Sequence, residues 1–269
     1  LASENGDNKN GMDFKVMHSL SDVNVDEFVE KIKDEVVGKL NAKQVKSGSY
    51  KVILKNSAMS DLLGALTGLF NGEMVYKGIS KLANKLDTQI FDEKITILDD
   101  PLKKDGINST AFDDEGVASY TKTIVENGVL KMFLHNQKSA AQMNTVSTGN
   151  GFKAGYAGQV SISPTNFYIV PSETSYDELL EKMGDGLVID SLNGLHAGLN
   201  SITTDFSLQA AGYVVENGKV VRPVNLITVA GNFLEMMKEV EAIGSDLEDQ
   251  LSSASAPSIL FKSLSISGE

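Results

Sequence analysis

Few side chains in these 269 residues stand where chemistry would need them. The three histidines, His18, His135 and His196, are scattered singly, with no HExxH-like array. A zinc site takes three or four N, S or O ligands, usually with two close together on one element. Isolated histidines read instead as surface or hydrogen-bonded residues, so the residues by themselves give no intrinsic zinc site. Ser119 and Lys122 match SxxK, but they fall on an expected strand, where residues three apart face opposite sides. No GxSxG elbow exists. Gly149, Gly151 and Gly155 spell GxGxxxG, one residue longer than the dinucleotide fingerprint and placed after a helix, not a strand. There is no P-loop, and a turn is the better reading. Phe112-Asp113-Asp114-Glu115-Gly116 sets three carboxylates in a row without the ligand spacing of a calcium loop, and reads as a solvated turn.

The totals narrow the classes further. With 41% hydrophobic residues the chain can bury a large core, as one large domain or one domain plus a fragment. A net charge of −12 and a single arginine, Arg222, argue against non-specific binding to a phosphate backbone. Cysteine is absent, which excludes disulfides and thiolate ligands and suits a cytoplasmic setting. No segment reaches the ~18 apolar residues of a membrane span; the longest candidate, Met59 to Phe70, contains Asp61. The polar opening LASENGDNKNG, with neither methionine nor an apolar signal region, looks like a cut inside a longer protein.

The elements follow from periodicity. Met12 to Leu20 alternates roughly, as a strand would. Val25 to Leu40 is an amphipathic helix carrying Phe28, Val29, Ile32, Val36 and Leu40 on one face, with Asn24 as its cap and Asp26 and Glu27 in its first turn. Tyr50 to Leu54 is a strand. Ser57 to Lys77 is the most apolar helical stretch, with Gly64, Gly68 and Gly72 at every fourth position; each glycine costs on the order of 1 kcal/mol relative to alanine, so a close neighbour is expected on that stripe. A second helical pattern spans Met74 to Ile90 on Val75, Ile79, Leu82 and Leu86, and Lys94 to Leu98 reads as a strand. Hairpins are expected at Ile124 to Leu134 and Val214 to Val224, because Asn127-Gly128 and Asn217-Gly218 accept the positive φ of tight turns. Gln137 to Met143 and Ser175 to Met183 are short helices, and Phe167 to Val170 and Gly186 to Leu192 strands. Thr203 to Leu208 leads into the second hairpin. Phe233, Met236, Met237 and Val240 stripe a further helix, Glu241 to Asp249 is acidic, and Pro257 to Ile266 is a closing strand. The class is α+β, β-rich after residue 94. On the residues alone, this is a soluble α+β domain with no identifiable catalytic centre.

Ordered short matches add more. Phe112 to Gly116, Val125 to Leu130 and Ser147 to Gly151 resemble the TldD/PmbA family, once named modulators of DNA gyrase. Thr203 to Ser207, Ala211 to Tyr213, Glu216 to Gly218, Ala230 to Asn232, Ile243 to Leu247 and Pro257 to Leu260 continue the resemblance in the same order, from about Val25 onward. It implies residues 1–45 as the end of a central region and residues 46–269 as a C-terminal domain with antiparallel sheets, a barrel-like core and several packed helices. A sizeable N-terminal domain of the family would be missing.

The family has two kinds of subunit. The TldD kind is a zinc metallopeptidase with HExxxH on a helix and a further cysteine ligand; the PmbA kind, also called TldE, lacks these and pairs with TldD. The resemblance puts Gly64 and Leu69 in the two histidine slots, Ala65 in the glutamate slot, and the cysteine slot near Gln250 to Ala254. It therefore implies a PmbA/TldE-type pseudoenzyme subunit, inactive by itself, with no cofactor of its own and zinc only in a TldD-type heterodimer partner. That complex would act on unfolded or extended peptides. Chamber-lining candidates are Ser147, Thr148, Gly149 and Asn150, together with Thr203, Thr204 and Asp205. Self-association is a further possible state; nucleic acid and membrane are not expected partners. Two alternatives differ in class: a homodimeric hydrolase whose His135 or His196 converges with Asp113 or Asp205, and a protein acting directly on DNA gyrase.

Overall fold

The computed structural model describes residues 1–14, 17, 19 and 23–269. The expected strand from Met12 to Leu20 falls largely outside them, and so does His18. In chain order the elements begin with a hairpin, β1 (Ala2–Glu4) and β2 (Asp7–Lys9), then α1 (Val25–Gly38), β3 (Gly48–Leu54), α2 (Asn56–Ala65) and α3 (Gly72–Tyr76). Next come β4 (Ile97–Asp99), β5 (Lys122–Glu126), β6 (Val129–Leu130), α4 (Gln137–Gln142), β7 (Gly151–Lys153), β8 (Val160–Ile162) and β9 (Phe167–Ile169). The remainder is α5 (Tyr176–Met183), β10 (Gly186–Asn193), α6 (Leu195–Gly198), β11 (Asp205–Glu216), β12 (Lys219–Asn232), α7 (Phe233–Met236), β13 (Val240–Ile243), β14 (Ala254–Ser255) and β15 (Ile259–Ser267).

Five strands run in the order β12-β11-β10-β3-β15, and β15 returns to β12 through Thr228↔Ser267, Val229↔Ile266 and Ala230↔Ser265. The sheet thus closes into a barrel, which removes the free edges an open sheet would expose. The other end of β15, at Ile259–Phe261, pairs with β13. Neighbours are antiparallel except β10 and β3, whose register is Leu187↔Val52 to Ile189↔Leu54. Alternation explains the continuous apolar runs on these central strands. Val52, Leu54, Leu187, Ile189, Leu208 and Ile227 share the main core with α2, while Ile53, Val188 and Leu260 turn to the other face and meet Leu179, Leu180 and Met183 of α5. A second sheet, β14-β9-β4-β5-β6, joins the same main core.

Both hairpins form as the Asn-Gly turns require, with Asn127 at φ 48° and Gly128 at 78°, and Asn217 at 51° and Gly218 at 72°. The same device at Asn5 (φ 50°) and Gly6 (φ 86°) makes the β1–β2 hairpin inside the polar opening stretch, an element the sequence reading missed. α1 is capped as expected, the Asn24 side chain accepting from the Glu27 N–H. Its apolar face is another matter: only Val36 is buried, with Val25, Val29 and Val37 half to two-thirds exposed.

Several expected elements need correction. Ser57 to Lys77 is three pieces: α2, a 3-10 turn at Thr67–Phe70, and α3. α2 stops where Leu66 turns its N–H back on the Leu63 and Gly64 carbonyls, and the extended Asn71 restarts the chain by accepting from the Glu73 and Met74 N–H groups. Close packing on the glycine stripe holds at Gly72, where a Cβ would collide with the His135 ring, but nothing lies within 4 Å of a Cβ at Gly68. The Met74 to Ile90 helix shrinks to α3, because Gly78, Asn84 and Asp87 take left-handed backbone. Leu82 is still buried, whereas Ile79 and Leu86 face out. The helix from Phe233 to Val240 is the single turn α7, and Val240 opens β13, a strand running into the acidic stretch. The strand expected at Lys94 to Leu98 begins only at Ile97.

Gly212 tests the barrel. A side chain there would run into the Val188 carbonyl, a backbone group that cannot rotate away. Gly212→Ala is expected to lower unfolding stability by about 2 kcal/mol or more in denaturant titration, toward the upper end of overpacking costs.

Candidate functional site

The end of α2 meets the segment before β14. A Cβ at Gly64 would lie 3.6 Å from the Ala254 Cβ and 3.8 Å from the Ser252 Oγ, ordinary contact distances. Two sequence-distant candidates are therefore neighbours. Their chemistry is poor in donors: glycine offers no side chain, the Ala65 methyl faces out, and Ser252 spends its hydroxyl on the Ala254 carbonyl at 2.9 Å. Leu69 lies apart from them, in the 3-10 turn and 2% exposed in the main core. Among the described residues no three of His, Cys, Asp and Glu converge on one point. The residues at this position do not fit a zinc ion, which wants imidazole, thiolate or carboxylate ligands.

A cavity of about 770 Å³ opens beside this place. Phe28 and Lys31 of α1 form one wall, Asp61 of α2 and the 248–252 segment the other, and Ser252 belongs to both cavity and Gly64 contact. Asp61 sits one turn before Gly64 and is the one ionisable residue of α2. Partial burial pushes its carboxyl above the usual aspartate range.

The Ser147 to Asn150 turn belongs to the interior instead. Asn150 is fully buried and donates to the Asp99 carboxylate at 2.8 Å and to the Ser163 carbonyl at 3.0 Å. Thr148, also buried, accepts from the His135 N–H at 2.8 Å and donates to the Asn150 carbonyl oxygen at 2.7 Å. Asp99 further accepts from the Thr165 N–H and hydroxyl at 2.7 and 2.8 Å, and pairs with Lys122 at 3.1 Å, both side chains wholly buried. Lys122 also donates to the Thr148 carbonyl at 3.3 Å. Thr148, Gly149 and Asn150 are thus scaffold in this chain; among these four candidates only Ser147 retains partial exposure.

The acidic turn corrects in the same direction. Asp113 is 2% exposed and accepts from the Glu115, Val117 and Gly151 N–H groups at 3.0, 2.9 and 2.9 Å. Asp114 takes the Lys153 N–H and Glu115 the Gln137 N–H, each at 2.7 Å. These carboxylates knit β7 and α4 to the turn; they are not a solvated loop. Lys122 of the SxxK match is committed to Asp99, and the buried Ser119 Oγ has no hydrogen-bond partner. His135 is buried with its Nδ1 3.1 Å from the Ser139 Oγ, while His196 lies exposed on α6.

At the second candidate stretch, Thr204 is buried with φ 65°, a strained conformation for a β-branched residue. Asn232 holds it there: its side-chain amide donates to the Thr203 carbonyl at 2.9 Å and to the Asp205 carboxylate at 2.8 Å, and its oxygen accepts from the Thr204 hydroxyl at 3.1 Å. These bonds, the Asn232 one first, hold the exposed Asp205 carboxyl below its usual range. Asp205 and the half-exposed Ile202 border an open groove of about 510 Å³.

Two measurements probe the interior network. Lys122→Met strands a buried carboxylate and is expected to cost about 3–5 kcal/mol in denaturant unfolding, with part recovered when Asp99→Asn is added. Burial holds the His135 imidazole below the ordinary histidine pKa, so the folded state keeps it neutral where the unfolded state would protonate it. Its contribution is complete above about pH 6.5 and is lost as pH falls below that value. His135→Gln should flatten the melting temperature across that acid window.

Sequence and structure comparisons agree with this geometry. Residues 47–268 match the family model for the PmbA/TldA metallopeptidase C-terminal domain. Metalloprotease PmbA of Escherichia coli O157:H7 is 32% identical over 270 residues, covering 100% of this chain and 57% of that protein. A crystal structure from Thermotoga maritima, of a proposed modulator of a DNA gyrase, superposes with TM-score 0.88 at 38% identity, over 93% of this chain and 57% of the other. TldE from Thermococcus kodakarensis gives TM-score 0.84 at 26% identity, over 91% and 56%. The chain spans little more than half the length of these relatives. It is a member of the PmbA/TldD metallopeptidase family.

Proposed function

We propose that this chain is the non-catalytic, TldE-type side of a TldD/TldE peptidase complex that cleaves unfolded or extended peptides, with the zinc and the general base supplied by a TldD-type partner. One observation carries the reading. The positions that the family resemblance assigns to the first histidine and to the cysteine region are neighbours in space, at Gly64, Ser252 and Ala254, yet among the described residues no metal-binding cluster stands there. The likeness to TldE supports it too. The alternative of a site built from His135 or His196 with Asp113 or Asp205 draws no support: Asp113 is spent on backbone N–H groups, His135 on Ser139, and Asp205 on Asn232.

The chain's own contribution is then geometric. Its barrel offers a rigid wall beside the partner's active centre, and Ser147, Thr203 and Asp205 are the candidates left with exposure to face a peptide. Extended substrate pairing its backbone with a sheet suits this role. A cytoplasmic setting suits a chain without cysteine.

The purified protein should carry no stoichiometric zinc, show no peptidase activity alone, and co-purify with a chain bearing HExxxH. Stoichiometric zinc together with activity from this protein alone would overturn the proposal. Gly64→His with Leu69→His should not restore zinc-dependent cleavage, because the second histidine would be placed in the core and the cysteine ligand and base are still missing. Burying an imidazole in place of Leu69 should also cost about 2–5 kcal/mol of stability. Robust cleavage by that double variant would show that the lost site was misread.

A further inference from the structure

α1 is held at one end and almost free at the other. Beyond it the chain is strapped to the barrel. The Asn41 N–H and side-chain amide donate to Asp7 and Glu4 of the first hairpin at 2.8 and 2.6 Å. Arg222 donates to the Lys43 and Gln44 carbonyls, each at 3.3 Å, and the Gln44 side chain to the Leu226 carbonyl at 2.7 Å. The C-terminal turn of α1 shares this firm seat. Val36 is buried, Gly38 lies against the Tyr213 hydroxyl, and the Lys39 ammonium reaches the Asp190 carboxylate at 3.3 Å. Asp190 is 8% exposed, and its other oxygen has no partner, so Lys39 is the charge that keeps this carboxylate compensated.

The N-terminal half has no such seat among the described residues. Val25 and Val29 are mostly exposed, and Phe28 and Ile32 are only half-buried. Among the described residues its ion pairs at the 770 Å³ cavity are those of Lys31 with Glu248 at 3.6 Å and with Asp13 at 4.0 Å, between side chains that are themselves a third or more exposed. Exposed pairs of this kind hold weakly. A helix with one buried residue, anchored at its last turn and laid along a cavity, is a low-stability element next to a rigid one.

We propose that α1 is a hinged cover: it pivots about the Gly38–Lys39 anchor on Tyr213 and Asp190, and the Lys31 clasp to Glu248 and Asp13 closes it over the cavity beside Gly64 and Ser252. Access to that cavity is set by the position of α1, with no change in the barrel. The inference is independent of the catalytic reading, since it concerns the movement of one helix.

The absence of cysteine makes the test clean, because introduced thiols are the only labelling sites. Spin labels on Val29→Cys of α1 and on Leu251→Cys of the cavity lining, both exposed positions, report the opening by pulsed electron resonance. Two distance populations are expected, and Lys31→Gln, which removes the clasp at the surface, should raise the longer one at least threefold. Lys39→Met should broaden the distribution further; if it unfolds the chain instead, the Lys31→Gln result decides. A second pair, Val25→Cys with Val37→Cys, spans one helix of twelve residues' rise, about 18 Å. That distance should stay single and unchanged. A single narrow Val29–Leu251 distance unmoved by Lys31→Gln would overturn the hinge, and a spread in the Val25–Val37 distance would overturn it in favour of local unfolding.

Discussion

Closure of the barrel by β15 is the constraint on which the rest depends. β15 pairs with β3 along one side and with β13 and β12 along the other. Its start is pinned by Ser258, whose N–H and hydroxyl donate to the Asp246 carboxylate at 2.8 and 2.6 Å and whose hydroxyl accepts from the Asn56 N–H at 3.1 Å. Two residues earlier, the Ala256 N–H donates to the Ser60 hydroxyl at 2.8 Å. These bonds set the segment before β15 against α2, and so bring Ser252 and Ala254 to Gly64. The frame at this meeting point carries small side chains, Gly64, Ser252 and Ala254.

Charge is spent on architecture in this molecule. The Asp99–Lys122 pair joins the second sheet to the Ser147–Asn150 turn, and Asp113 collects backbone donors from its own turn and from β7. Such partners offset the cost of burying a carboxylate, since stripping water from an ion costs several kcal/mol unless other groups replace it. Polar residues that look like a reactive cluster in one dimension thus serve to fix loop backbone, while the cavity beside Gly64 is lined by the ionisable groups of Asp13, Glu27, Lys31, Asp61, Glu248 and Asp249.

Local encoding decided what could be read from the sequence. Both Asn-Gly hairpins and the Asn24 cap of α1 are specified by residues within a few positions, and each stands as expected; the helix expected from Ser175 to Met183 is likewise set locally, by a Ser175–Glu178 capping box. The Ser57 to Lys77 stretch misled because its apolar residues are spaced so that they satisfy a helix and a series of short turns equally well. The Met74 to Ile90 pattern had helical spacing, yet three residues within it take left-handed backbone. β13 carries alternating burial across an acidic stretch because β15 offers it an edge, which only the fold reveals. For the site, the pairing of Gly64 with the Gln250 to Ala254 region came through family resemblance and not through residue chemistry. The interior role of Thr148 and Asn150 was not legible, since their partner Asp99 lies some fifty positions away.

The union of β3 with β15 also governs time. Ser49 and Ser263 face each other across that pairing with 214 positions between them, so the barrel cannot close until both strands have been made and have found each other. Pairings this remote pay the full entropy of a long loop before any reward, which slows folding. During synthesis β3 must wait with one side of its apolar backbone bare, an interval in which it can misassociate with other nascent strands. Slow closure is the physical cost of a frame that holds two distant segments in register.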